Sequence, residues 1–94
     1  MKHLIIKKDK NIYYQYHNHR SEFWTIVEGT GYIVLDGILS KANTRDTFTI
    51  EKNAKHSITA IDGDLVILEV QYGTEYNEDD IVRITKDFDS IELV

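Results

Sequence analysis

The chain is predicted to be all-β, a sandwich or barrel built from short strands. Three observations predict this. Runs rich in Ile, Val, Tyr, Phe and Thr recur along the sequence with turn residues between them. Asp36-Gly37 separates two such runs as a two-residue hairpin signal, because both positions tolerate the positive φ of a type I′ turn. No window sustains the three-and-four apolar spacing of an amphipathic helix, apart from a weak pattern over residues 79–88.

In chain order, the predicted strands are residues 4–6, 12–17, 23–28, 31–35, 47–50, 57–61 and 65–72. The chain contains no proline, so its turns fall to Gly, Asn and Asp. Gly29-Thr30-Gly31 and Asp62-Gly63-Asp64 are read as turns, and Ile38-Leu39 begins the return strand of the Asp36-Gly37 hairpin. There is no internal repeat, low-complexity tract or linker, and 94 residues make one domain with room for one core and one site.

Charge and composition exclude several function classes. A net charge of -5 lacks the basic stripe that displaces counterions from nucleic-acid phosphates, and it disfavours an anionic membrane surface. The 11 Lys and Arg residues still allow local positive charge to hold a small phosphorylated ligand. Without cysteine there is no disulfide, thiolate nucleophile or zinc-thiolate cluster, which leaves His and carboxylate as the strong metal ligands. The opening Met1-Lys2-His3-Leu4-Ile5-Ile6-Lys7-Lys8 is too short in apolar residues for a signal-peptide core or membrane span, so a cytoplasmic protein is expected.

The chemistry centres on Gln15-Tyr16-His17-Asn18-His19-Arg20-Ser21-Glu22-Phe23-Trp24. If His17 and His19 lie on one strand they share a face, a bend after Arg20 brings Glu22 beside them, and His56 joins from a neighbouring strand. Such a set suits a divalent metal ion (zinc, manganese, cobalt, nickel or iron) with coordination positions left open for water or substrate.

Residues 65, 67, 69 and 71 share one side of the last predicted strand, so Glu69 and Gln71 point together. Facing a lumen, Glu69 is a candidate proton-transfer base and Gln71 a group that orients substrate hydroxyls; facing solvent, both are ordinary polar residues. Trp24 shares parity with Glu22 and Ile26, which suits core packing or stacking against a sugar ring. Lys52 and Lys55 flank the turn before His56, where they either steer a phosphate or are simply solvated.

The spacing resembles the cupin superfamily, small double-stranded β-helix (jelly-roll) barrels. Glu22 lies seven residues before Gly29, and Asp46 ten before His56, as in the two cupin motifs. Arg45 and Asn53 stand where the second motif has Gly, Glu51 stands where it has Pro, and Ala60 where Asn often follows. Within cupins, the string from Gln15 to Trp24 and the string Glu69-Val70-Gln71-Tyr72-Gly73 running into Glu78-Asp79-Asp80-Ile81-Val82-Arg83 resemble type II mannose-6-phosphate isomerases.

That resemblance implies proton transfer through an enediolate on a metal centre, converting mannose 6-phosphate to fructose 6-phosphate. It implies catalytic roles for Arg20 and Arg83, whose guanidinium groups suit a phosphate or oxyanion. The chain departs from the family by lacking a Pro-Trp-Gly segment ahead of the barrel, by Lys8-Asp9 in place of a Pro-Gly turn, and by Asp87-Phe88-Asp89-Ser90 in place of a Tyr-Gly-Arg tail. These departures keep a second class open, a non-catalytic sugar- or metabolite-binding cupin; a metal-dependent oxygenase is the third. A homodimer is expected, with the first strand, residues 4–6, covering its own edge against a second copy.

Overall fold

The structure, a computed structural model, describes residues 2–73 and 80–94. Its strands are β1 (Lys2–Ile6), β2 (Tyr14–Tyr16), β3 (Arg20–Glu28), β4 (Gly31–Leu35), β5 (Ile38–Ala42), β6 (Thr47–Ile50), β7 (His56–Ala60), β8 (Leu65–Gly73) and β9 (Val82–Thr85). They form a four-stranded sheet in the order β1-β8-β3-β6 and a five-stranded sheet in the order β5-β4-β7-β2-β9. Every paired strand is antiparallel. The all-β expectation is met, and no helix among the described residues is long and apolar enough to cross a membrane.

Two sequence expectations change. The strand predicted over residues 12–17 shortens to Tyr14–Tyr16, which leaves His17 in a loop. The weak helical pattern over residues 79–88 resolves, where described, into β9; a single 3₁₀ turn then spans Phe88–Ser90. Asp79 itself lies outside the described residues. The helical spacing of Ile81, Ile84 and Phe88 loses to ladder pairing of β9 with β2.

Alternation explains the layers. In β3 the residues Arg20, Glu22, Trp24 and Ile26 are buried while those between are more exposed, and in β8 Leu65, Ile67 and Glu69 do the same. The apolar members meet Ile33, Ile50 and Ile58 from β4, β6 and β7 to form the core between the sheets. Val34, one residue out of phase with Ile33, turns to the other face of its sheet and packs with Tyr14 and Ile91 in a smaller cluster.

The predicted hairpin forms as expected, with Asp36 at φ 48° and Gly37 at φ 81° and Leu35 paired with Ile38. Arg45 (φ 80°) and Asn53 (φ 66°), both standing where the cupin motif has Gly, take the left-handed conformation that glycine adopts without strain. Arg45 carries the larger penalty, since Asn tolerates this region better. Arg45→Gly is therefore expected to stabilise the protein by about 0.5–1 kcal/mol in urea denaturation, the relief of strain slightly exceeding the gain in unfolded-chain freedom. A loss of stability would contradict the strain.

Candidate metal centre

Four inward-facing positions of β3 and β8 converge at the end of the barrel core. Their register places Glu22 opposite Gln71 and Trp24 opposite Glu69, so the four side chains share the inner face. The β7 residue His56 enters from the opposite sheet, and His17 from the loop before β3. Two contacts hold that loop. Asn53 N–H donates to the His17 carbonyl at 2.8 Å, and Asp80 accepts from the backbone N–H groups of Asn18 (3.1 Å) and His19 (2.9 Å). Gly73 faces Arg20 across the ladder, where any Cβ would collide with the His19 carbonyl oxygen and lie 2.7 Å from the Arg20 Cα.

The donor atoms of His17, Glu22 and His56 lie within 4.8 Å of one another, and all three residues are buried. His17 Nε2 is 3.7 Å from Glu22 Oε2, and His56 Nε2 is 3.9 Å from Glu22 Oε1. Ligands bound at about 2.1 Å from one ion stand at most about 4.2 Å apart, so these two separations fit a shared cation.

Proton positions follow from the partners. His56 Nδ1 faces the Ala54 carbonyl at 2.9 Å and must donate to it, which leaves the lone pair on Nε2. His17 Nε2 meets Arg20 Nη2 at 2.8 Å, and because arginine only donates, this nitrogen also carries a lone pair. His56 Nε2 and Arg20 Nη1 are buried with no hydrogen-bond partner among the described residues. A buried imidazole lone pair without a donor is an open ligand position.

Electrostatics agrees with neutral imidazoles. Burial, reinforced by the Arg20 charge and by His56, lowers the His17 pKa to about 4, and burial lowers that of His56. Burial and the neighbouring Glu69 charge raise Glu22 to about 7 against the opposing pull of Arg20. Glu69 is 3% exposed, and its two oxygens accept from Trp24 Nε1–H at 3.0 Å and Gln71 Nε2–H at 2.8 Å. The Trp24 ring also stands edge-on to His56, with centroids 5.6 Å apart.

Of the sequence-predicted residues, the structure brings together His17, Glu22, His56, Arg20, Glu69, Gln71 and Trp24. It does not bring His19 to the cluster. Residues 17–19 form a loop, so strand alternation does not apply, and the half-exposed His19 ring donates from Nδ1 to Asp80 Oδ1 at 3.0 Å. Arg83 also lies elsewhere, because β9 is the edge strand of its sheet. Its guanidinium is exposed and stacks over the Tyr13 ring, 5.3 Å from the centroid. Lys55 is exposed and lines a separate cavity with Tyr14 and Ile91. Trp24, 1% exposed, works as a core residue and hydrogen-bond donor.

Sequence reasoning did not single out Asp80 as a support of the His17 loop. Burial alone would raise its carboxyl, but hydrogen bonds from the His19 ring and from the N–H groups of His19 and Asn18 outweigh burial and lower its pKa. Ala54, which sets the His56 tautomer through its carbonyl, leaves no side-chain signal to find.

Two antiparallel sheets closing over a His–Glu–His donor set define a cupin. A solved cupin protein from Bacteroides fragilis superposes with a TM-score of 0.70 at 22% identity, covering 81% of this chain and 66% of that one, a likeness of fold. The profile of the Mannose-6-phosphate isomerase C-terminal family matches residues 1–86, and the chain belongs to that family. A mannose-1-phosphate guanylyltransferase of Escherichia coli (strain K12) is 31% identical over 86 residues, covering 88% of this chain and 18% of that protein. One from Klebsiella pneumoniae is 37% identical over 71 residues, covering 74% and 15%. The chain thus spans less than a fifth of the length of these curated relatives.

The shifted groups set a pH profile for the metal-free protein. His17, with its pKa depressed from 6.5 to about 4, contributes stability that is lost as pH falls through that window. Glu22, raised from 4.5 to about 7, contributes stability that is lost as pH rises through its own. The two slopes oppose each other between 4.5 and 6.5. His56, whose pKa burial also lowers, adds to the His17 slope, so urea midpoints of chelator-treated protein are expected to rise up to about pH 6.5 and to fall from there to about pH 7. A steady rise from pH 5 to 8 would contradict the assignments.

Proposed function

We propose that the chain is the metal-dependent centre of a sugar-phosphate isomerase that interconverts mannose 6-phosphate and fructose 6-phosphate. The observation that carries this reading is Glu69, a second buried carboxylate beside the donor set, oriented by Trp24 and Gln71. A metal site alone does not need it. An aldose–ketose isomerisation does, because a proton must leave C2 and arrive at C1.

His17, Glu22 and His56 would hold a divalent ion with positions left open, and the residues fit it by spacing and by the unpartnered His56 Nε2. Such an ion supplies Lewis acidity toward the sugar oxygens. Glu69 takes the C2 proton of the open-chain aldose and returns it to C1, while the O2 hydroxyl proton passes to O1, so the formula is unchanged. Gln71 and Trp24 fix the angle of the Glu69 carboxylate, and the Arg20 guanidinium offers hydrogen-bond donors to a substrate oxygen. His19, Arg83 and Lys55 take no part. The family membership and the guanylyltransferase relatives support a mannose-phosphate substrate.

One observation favours a second reading. The cavity at the cluster, lined by Gln15, His17, Arg20, Glu22, Trp24 and Glu69 among others, holds about 120 Å³, below the roughly 300 Å³ at which ligand pockets begin. A binding cupin that never turns substrate over would tolerate so small a chamber. We also propose a homodimer that pairs through β1, an edge strand whose Ile5 is 61% exposed.

Interconversion of the two sugar phosphates is expected in metal-loaded protein and to vanish with a chelator. Glu69→Gln is expected to lower kcat about 100-fold or more while metal affinity stays within a few-fold of wild type. Saturable sugar-phosphate binding without turnover in the metal-loaded wild type would favour the binding module instead.

A further inference from the structure

The Arg20 side chain is 3% exposed and reaches into the donor set itself. Its Nη2 is 2.8 Å from His17 Nε2, and its Nε donates to Glu22 Oε2 at 3.1 Å. These are two of the atoms a cation would need. An ion bound along the His17 lone pair at about 2.1 Å would lie almost on top of the guanidinium nitrogen that now receives it. One lone pair cannot serve both, and two positive charges at that separation repel strongly in a buried site.

We propose that Arg20 and a divalent ion are mutually exclusive at His17 Nε2: the guanidinium is the built-in counter-cation of the metal-free centre, and loading expels it from the cluster. This rests on the metal-centre reading above.

The consequences are physical. Without an ion, Glu22 and Glu69 are carboxyl groups only 2% and 3% exposed, and the single Arg20 charge offsets one carboxylate of the two. Metal binding must first break the Arg20 contacts, so the apparent affinity is weaker than the three ligands alone would give. Arg20 is itself a wall of the 120 Å³ cavity, so its departure also makes room. The unpartnered Nη1 marks a guanidinium that this pocket satisfies only in part.

Zinc titration of the wild-type protein tests the exchange by calorimetry together with the arginine Nε–H resonances in NMR. Only Arg20, Arg45 and Arg83 contribute such signals. Stoichiometric zinc binding with a large shift or loss of the Arg20 resonance, the other two unmoved, is expected. Arg20→Met is expected to bind zinc at least about tenfold more tightly, roughly 1.4 kcal/mol. Zinc bound with the Arg20 resonance unmoved would overturn the exchange and leave the metal centre standing. No zinc bound by wild type or by a folded Arg20→Met would overturn both. If the variant does not fold, the wild-type resonance alone decides.

Discussion

Charge compensation inside a desolvated chamber governs this molecule. Between two sheets that otherwise bury Ile, Leu and Trp, the chain inserts Arg20, Glu22, Glu69, His17 and His56. Each would be costly alone, and a pair broken on one side leaves an uncompensated buried charge. The group survives because its members satisfy one another. Arg20 bridges His17 and Glu22, Trp24 and Gln71 hold Glu69, and Ala54 fixes His56. Among the described residues two of its polar atoms are left over, and they are the natural handles for a ligand.

The scaffold delivers these groups through ladder register more than through loops. Glu22 opposite Gln71 and Trp24 opposite Glu69 are consequences of pairing β3 with β8, and a slip of one residue would send the two side chains of the slipped strand outward. Only His17 depends on irregular backbone, and that backbone is tied down from both sides by Asn53 and Asp80. The same register sets Gly73 against the Arg20 backbone, a contact that leaves no room for a side chain.

Much of this could be read from the sequence, for a simple reason. Strand alternation is local, so the parity of Glu22 with Trp24 and of Glu69 with Gln71 needed no tertiary knowledge, and Asp36-Gly37 announced its own turn. His19 misled because alternation was extended across residues 17–19, where the chain bends. Arg83 was expected from the resemblance of its string and Lys55 from its place beside the His56 turn, and neither ground says which face a side chain takes. The Arg20 contacts with the ligands were missed although Arg20 shares the parity of Glu22, since a buried guanidinium among metal donors runs against the usual expectation that arginine is exposed.

The proposed centre requires that two imidazoles and one carboxylate, His17, His56 and Glu22, bind the same ion. X-ray absorption at the edge of a bound zinc or cobalt ion reads the ligands directly. One ion per chain is expected, with two imidazole nitrogens at about 2.0–2.1 Å, falling to one in His56→Ala. An ion with no imidazole in its shell, or a shell unchanged by that substitution, would contradict it.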